Sequence, residues 1–330
     1  MRLIGQALAC AVCIAACAAA AAAQPVKIAA TGPTATFAPL FMAADKGYFH
    51  DEGIEAQILY MGGGTSIPAM IGGSIDYSAA AASSMAAIMK GAKLKVILVG
   101  QATVDFQIWS FDPKVTTFDA LKGHSLAVVS RGGSEEIATL MYLKANNYPR
   151  DFVGFSAIQG PARIAAVVGG TGGYGVLLPN DIPVLAEKGE LAKGKMLLDF
   201  TKWVQLSAGG LVTSDKEIAE HRDRVLRVIE AVRKGALYVK AFPDSAVELL
   251  QKRNPDSPHQ ALVNEMKASY PNLNWSGTIS LESQRRELSA RGDILSLASS
   301  QIPTPAAAYD FSFVTEADRD IAASGWTPSR

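Results

Sequence analysis

The sequence predicts an α/β fold of two lobes, each a mostly parallel sheet covered by helices, joined by two crossover segments. Three observations predict it: strand patterns alternate with helical patterns from residue 26 to residue 187, small and hydroxyl residues fill the turns between them, and the series falls into two halves. Repeated β-then-α order places parallel strands side by side with helices on both faces of the sheet.

The first half contributes four predicted strands and three predicted helices. The strands cover residues 26–29, 54–59, 75–78 and 94–99, and the helices cover 37–46, 67–71 and 84–90. The turns before the helices are Thr34–Phe37, Gly62–Ser66 and Ala80–Ser84. Such turns present backbone N–H groups and a positive dipole end, so they predict a ligand-holding surface.

The second half repeats this order. Its strands cover residues 125–129, 152–157 and 176–178, and its helices cover 134–146, 162–168 and a segment ending at 187. Extended segments at 103–111 and 205–213 are the predicted crossovers. We therefore expect one lobe from residues 24–105 with 210–330, a second lobe from 106–209, and a ligand cleft between them that closes on a hinge.

From about residue 215 the pattern becomes helical. Apolar residues spaced three and four apart share one helix face; they are Val225, Val228, Ile229, Val232 and Ala236. This stripe predicts a helix buried against the core.

The N-terminus has the pattern of a secretory signal peptide. Arg2 precedes an apolar run, and Ala21–Ala23 offers a small-residue cleavage site, so we expect residues 1–23 to be removed and the protein to be periplasmic. All three cysteines, at positions 10, 13 and 17, lie in this segment, so the mature chain has no thiol chemistry. Ile14–Cys17 also resembles a lipobox, which leaves open a lipid-anchored form through Cys17.

The charge balance excludes a strongly basic surface. The chain has 31 Lys and Arg and 31 Asp and Glu, and removal of Arg2 with the signal leaves a net charge of −1. Nucleic acid and anionic membranes both attract basic proteins, so neither is the expected partner.

Catalytic motifs fail on their spacing or context. Gly170–Gly175 has the glycines of a dinucleotide fingerprint, but a helix pattern precedes it and a strand pattern follows, which reverses the required order. Gly62–Thr65 lacks the lysine of a P-loop, and the four histidines are scattered. We expect no catalytic residues, no cofactor and no metal site; an exported enzyme or a sensory binding protein on the same scaffold stays open as the alternative.

Several segments together carry a family resemblance: Lys27–Ala29, Ala38–Phe49, Glu52–Ile54, Gly62–Gly64 and Gly72–Tyr77. They resemble the substrate-binding proteins of nitrate, sulfonate and taurine ABC importers, a family that includes NMT1/THI5-like binders of thiamine precursors and binders of aromatic acids. The resemblance implies the type II periplasmic binding protein fold and a monomer. It also implies a small organic or inorganic anion or a pyrimidine-like precursor as ligand, with an ABC permease and a cytoplasmic ATPase as partners.

The resemblance also implies where the ligand lies. In the first lobe the implied contacts are Thr34, Thr36, Phe37, Gly64, Thr65, Ala81, Ser83 and Ser84, and in the second they are Ser130, Arg131, Gly132, Gly133 and Ser134. Each hydroxyl residue could instead cap its own helix. Arg131 suits a carboxylate or sulfonate by bidentate hydrogen bonds, or could pair with Glu135 or Glu136.

Aromatic side chains near the crossovers could provide flat walls for an aromatic ligand. The candidates are Phe37, Trp109 and Trp203, with Gln107 and Gln205 beside the tryptophans as polar contacts. Ordinary core packing is the alternative for each ring.

Overall fold

The computed structural model describes residues 25–104, 106–169, 173–200 and 205–329. The predicted signal segment with Cys17, the glycines of 170–172 and Trp203 lie outside these ranges. Ten strands are described: β1 Val26–Ala30, β2 Ala56–Tyr60, β3 Tyr77–Ser78, β4 Leu94–Thr103, β5 Gln107–Ser110, β6 Ser125–Val128, β7 Gly154–Ala157, β8 Tyr174–Leu177, β9 Lys195–Asp199 and β10 Gln205–Ser214.

The strands form two five-stranded sheets. The order is β2-β1-β3-β10-β4 in the first sheet and β7-β6-β8-β5-β9 in the second. In each sheet four strands share one direction and the fifth, β10 or β5, runs antiparallel to its neighbours. The mostly parallel two-lobed α/β prediction is confirmed. The two segments predicted as crossovers form these antiparallel strands. The chain passes from the first sheet to the second at β5 and returns to the first sheet at β10.

Helices cover the sheets. The α-helices are α1 Ala38–Asp45, α2 Tyr48–Asp51, α3 Gly63–Ile71, α4 Ala81–Ile88, α5 Ser134–Ala145, α6 Gly160–Val168, α7 Asp181–Glu187, α8 Asp215–Glu220, α9 Arg222–Ala241, α10 Pro243–Arg253, α11 His259–Ser269, α12 Leu281–Ile294, α13 Pro305–Ala308 and α14 Ser312–Ala323. Short 3₁₀ turns lie at Ala35–Phe37, Asp119–Leu121, Leu191–Lys193, Tyr270–Asn272 and Ser299–Gln301.

Two helices begin earlier than the sequence pattern indicates. Helix α3 begins at Gly63 instead of residue 67, and α4 begins at Ala81 instead of residue 84. The first turn of α3 is closed by the amide of Ser66, which donates to the carbonyl of Gly62 at 2.9 Å. Small residues allow the helix to start directly at the strand end, so the predicted hydroxyl turns are in fact first helical turns.

The predicted apolar stripe is confirmed as the buried face of α9. Val225, Val228 and Ile229 are fully buried, and Val232 and Ala236 are at most 8 % exposed. Helix α9 packs between α1 and α14. Strand β9 has no counterpart in the predicted pattern, because its apolar residues are only partly buried and give no clear alternation.

Helix α12 contacts both halves of the molecule. Leu288 belongs to the core cluster that includes Val96 and Val212 of the first sheet, whereas Ile294 packs with the core of the second sheet. Lys144 of α5 also pairs with Asp293 at 2.6 Å. The predicted lobe boundaries, with residues 210–330 in the first lobe, stay a prediction, but this helix bridges the two.

A cluster of carboxylates joins α9 to its neighbours. Glu230 of α9 lies beside Glu52, which follows α2, and beside Asp320 of α14. The pKa of Glu230 is raised to about 7, mainly by burial. Its hydrogen bond to Glu52 and the negative charges of Glu52 and Asp320 raise the pKa further, whereas the positive charge of Lys234 lowers it.

We expect this cluster to make stability depend on pH. The folded chain holds the Glu230 proton more tightly than the unfolded chain, whose pKa is near 4.5. The contribution of Glu230 to the free energy of unfolding is therefore fully present below about pH 4.5 and is lost as the pH rises through about 7. The loss is on the order of 1 kcal/mol once solvent screening is allowed for. Urea unfolding across this range measures the slope. Glu230→Gln should make the free energy of unfolding depend less on pH. Glu220→Gln, which changes a side chain that is 54 % exposed, should leave the pH dependence as it is in the unmodified protein. Equal slopes in all three proteins would show that Glu230 is not the group responsible.

Candidate ligand-binding site

A cavity of about 440 Å³ lies between the two sheets. Six helix N-termini in the described part of the chain border it, with the N-cap residues Thr34, Gly62, Ala80, Gly133, Gln159 and Asn180. Each of these helices follows a strand that is paired in parallel with a neighbour. The carboxyl ends of parallel strands meet at one edge of a sheet, so the N-termini of these helices meet at that edge.

None of these six N-termini is capped by its own N-cap side chain. Side-chain caps do occur elsewhere, at Ser214, Ser280 and Thr304. An uncapped first turn leaves backbone N–H groups that need an acceptor. The cavity is therefore surrounded by backbone donors and by the positive ends of helix dipoles.

The structure brings some of the sequence-predicted contact residues to this cavity. The residues in its wall are Thr34, Thr36, Phe37, Ser83, Ser130, Gly133 and Ser134. The predicted residues outside the wall are Gly64, Thr65, Ala81, Ser84, Arg131 and Gly132. Thr65 donates to the carbonyl of Gly62 at 3.0 Å and Ser84 to that of Ala80 at 3.0 Å, so both hydroxyls serve their own helices.

Arg131 makes the ion pair that the sequence offered as the alternative to ligand contact. Its guanidinium binds Glu136 in a bidentate pair, with distances of 2.7 and 3.0 Å. These hydrogen bonds raise the pKa of Arg131. The Arg131 side chain is 62 % exposed and that of Glu136 10 %. Glu136 also accepts the amide of Gly132 at 2.8 Å, so the pair holds the loop before α5.

Of the aromatic residues predicted to contact a ligand, one lines the cavity and another lies outside its wall. Phe37 lines the cavity, as does Phe106, which the sequence analysis did not select. Trp109 donates from Nε1 to Oε1 of Gln107 at 2.8 Å and stacks on Phe111, with ring centroids 6.4 Å apart. Trp109 and Gln107 are outside the wall, so the alternative of ordinary packing describes them.

Several polar residues of the wall were not predicted from the sequence, among them Gln101, Arg163, Asp181 and Glu265. Arg163 Nη2 lies 2.6 Å from Asp181 Oδ2, and Asp181 also accepts the amide of Leu178 at 2.7 Å. Glu265 accepts the amide of Ala35 at 2.7 Å. Asp181 sits in the first turn of α7, which is a recognisable signal, but Gln101 and Glu265 reach the cavity only through tertiary packing.

The two halves touch across the cavity. The hydroxyls of Ser83 and Ser130 lie 3.4 Å apart, and Gly62 lies against the Gln159 side chain, where a Cβ would come within 3.0 Å of Oε1. These contacts join a turn of the first sheet to turns of the second.

Among the described residues, no group of three or more His, Cys, Asp or Glu could hold a metal ion. None of the helices in the same ranges combines the length and apolar character that a bilayer crossing needs.

Two α/β sheets with a ligand-sized cavity at their strand ends define the periplasmic binding protein fold. Residues 34–246 match the model of a family described as NMT1/THI5 like, and the chain belongs to that family. A comparison of the sequence with curated proteins finds no match.

Solved structures share this fold at low sequence identity. A protein from Bordetella bronchiseptica RB50 superposes with a TM-score of 0.78 at 18% identity, covering 90% of this chain and 98% of that one. The periplasmic nitrate-binding protein NrtA from Synechocystis PCC 6803 gives 0.72 at 14% identity, covering 93% and 91%. The alkanesulfonate-binding protein SsuA from Xanthomonas axonopodis pv. citri, bound to MOPS, gives 0.67 at 16% identity, covering 89% and 97%.

Proposed function

We propose that this protein is an exported solute-binding protein that captures a small molecule between its two lobes and delivers it to an ABC permease with a cytoplasmic ATPase. In this proposal residues 1–23 are a removed signal peptide, or cleavage before Cys17 makes that residue a lipidated N-terminus, and the mature monomer works in the periplasm. The family match and the neighbours, which are binding proteins by their descriptions, support this function over an enzyme.

One observation carries the proposal: six uncapped helix N-termini surround a cavity of about 440 Å³ between the sheets. A solute in that cavity would supply acceptors at the first turns of α3, α4 and α6, which contain no acidic residue, whereas Glu265 already accepts the Ala35 amide. The cavity volume lies in the range of small-molecule sites. Backbone donors and neutral hydroxyls can hold a solute by hydrogen bonds alone.

The wall contacts also suggest how the solute would be enclosed. Ser83 and Gly62 face Ser130 and Gln159 across the cleft, so the two lobes must separate there to admit a solute. A hinge at the two crossovers would permit this motion. Because small residues meet at this boundary, closure brings backbone donors close to the solute from both sides.

We expect a bound solute to stabilise the protein strongly. At a hundredfold excess over its dissociation constant a ligand adds about 2.7 kcal/mol to the free energy of unfolding. Thermal unfolding with sulfonates, nitrate, aromatic carboxylates and pyrimidines measures this shift, and mass spectrometry checks that the solute is recovered unchanged. Turnover of the solute would overturn the binding function in favour of an enzyme.

Two hydroxyl variants test whether the cavity is the site. Ser83→Ala removes a hydroxyl from the wall, whereas Thr65→Ala removes one that bonds only within its own turn. We expect Ser83→Ala to weaken binding of a positive hit about fivefold, the value of one neutral hydrogen bond, and Thr65→Ala to leave it unchanged. The opposite order would place the site elsewhere.

A further inference from the structure

Helix α12 is buried in both halves of the molecule at a place away from the cavity. Among its residues, all of which the structure describes, none lies in the cavity wall. Leu288, in the middle of the helix, belongs to the core cluster of the first sheet. Ile294, its last residue, is 7 % exposed and belongs to the core cluster of the second sheet. One rigid element is therefore fixed in two cores.

The middle of α12 also binds the crossover strand β10 from the side away from the cavity. Glu287 accepts the amide and the hydroxyl of Ser207 at 3.0 and 2.8 Å. Ser207 is fully buried, and the next residue, Ala208, lies in the cavity wall. Successive side chains of an extended strand point to opposite faces. The helix therefore lies behind the crossover strand, and the cavity lies in front of it.

The C-terminal end of α12 is bonded to the second half as well as packed in it. Asp293 pairs with Lys144 of α5 at 2.6 Å. Arg150, which follows α5, donates from Nη1 to the carbonyl of Ile294. These side chains hold the end of the helix from outside, whereas the Ile294 side chain holds it from within the core.

A tight turn follows this end of the helix. Ser296 has a left-handed backbone with φ 55°, and the amide of Leu297 donates to the carbonyl of Gly292 at 2.9 Å. Leu295 and Leu297 then pack against the core cluster that contains Leu288. The chain thus reaches the second half over the last turn of α12 and returns to the first half at once.

These contacts restrict how the two halves can move. A hinge made only of the two crossover segments can open and also twist. A helix does not stretch, so a rotation of the second half must either pivot on the end of α12 or pull Ile294 out of its core. The second motion exposes an apolar side chain and breaks the bonds to Lys144 and Arg150, so it costs free energy. Opening of the cavity is therefore opposed from behind the crossover.

We propose that the C-terminal end of α12 is a third hinge contact, which limits how far the cavity opens in the solute-free protein. The inference rests on the proposed solute-binding function, because the lobes must separate to admit a solute. The fraction of molecules whose walls already meet sets the apparent affinity for that solute. The contacts of α12 with the second half would then adjust affinity without touching the solute.

Two exposed cations can be replaced without disturbing either core. The release variant carries Lys144→Glu, which places a carboxylate opposite Asp293, together with Arg150→Ala. The control variant carries Lys193→Glu and Arg286→Ala, which change the net charge equally. The ion pairs of these two control residues join positions three and four residues apart, so neither pair connects the two halves.

Spin labels report the opening. Thr65→Cys on α3 and Ala162→Cys on α6 place them at exposed positions on either side of the cavity, and residues 24–330 contain no cysteine. Double electron–electron resonance of the solute-free mature protein then measures the distance between them. The ratio of open to closed molecules should rise about tenfold in the release variant, for the loss of one ion pair and one hydrogen bond. The control variant should match the unmodified protein.

A charge exchange checks the direction of the effect. Adding Asp293→Lys to the release variant makes opposite charges face each other again, so it should reverse part of the opening. Equal distances in the release variant and the unmodified protein would overturn the inference. A lower free energy of unfolding in urea with an unchanged distance would also overturn it, because α12 would then only stabilise the fold.

Failure of this inference is distinguishable from failure of the proposed function. The distances are measured without solute, so an unchanged distance leaves solute binding untouched. Solute binding is tested by the thermal unfolding screen, and the absence of any stabilising solute there would count against the proposed function and with it the role of α12 in affinity.

Discussion

Glu287→Ala should lower the free energy of unfolding by about 3–5 kcal/mol, the cost of leaving a buried charge without its partner. Glu287 and Arg291 pair at 2.8 Å within α12, and each side chain is 1 % exposed. The second carboxylate oxygen of Glu287 accepts from the amide and hydroxyl of Ser207 at 3.0 and 2.8 Å and from the phenol of Tyr309 at 3.1 Å. Loss of the carboxylate would leave all of these buried donors without their acceptor.

The same helix provides the control. Glu282 and Arg286 have the same spacing as Glu287 and Arg291, but their side chains are 79 % and 65 % exposed. Glu282→Ala should therefore cost at most about 0.5 kcal/mol. Urea unfolding of the two variants measures the difference, and losses of equal size would show that burial is not what gives the Glu287 pair its importance.

Gly235→Ala should lower the free energy of unfolding by about 3 kcal/mol, because there is no room for one methyl group. A Cβ at Gly235 would lie 2.1 Å from the carbonyl oxygen of Pro39 and 3.0 Å from the amide nitrogen of Ala43. Both atoms belong to the backbone of α1, so no side-chain rotation can relieve the contact. Helices α1 and α9 would have to separate in the centre of the first core.

Gly64→Ala is the matched substitution in another helix. The nearest atom to a Cβ there is Gln159 Nε2 at 4.0 Å. Alanine is the better helix former, so this variant should be neutral or more stable by up to about 1 kcal/mol. Denaturant midpoints at constant slope measure both variants; a neutral Gly235→Ala would mean that α1 and α9 do not approach as closely as described.

Much of the fold was predictable because local patterns and tertiary demands agree. Strand β1 and helix α5 match the predicted bounds within one residue. Every residue of the apolar stripe predicted for α9 is buried. The starts of α3 and α4 were missed because small residues do not signal a cap. Strand β9 was missed because it is only partly buried.

The site was predictable in outline but less so in its chemistry. Turns at strand ends were correctly expected to converge, and Ser83, Ser130 and Ser134 do line the cavity. Arg131 drew attention as a cation in such a turn, yet its neighbour Glu136 binds it. Ligand contact stays a prediction for every one of these residues.

The order of apolar and small residues was sufficient to specify two parallel α/β units and the edge at which their turns meet, because strand pairing and helix packing follow from local periodicity. The charge of the cavity could be decided only in three dimensions. Glu265 comes from a helix more than 200 residues beyond Ala35, whose amide it accepts. The Nε2 of Gln101 is left without a hydrogen-bond partner within the described ranges by the packing around it. Electrostatic environment depends on distance and burial, and neither can be read along the chain.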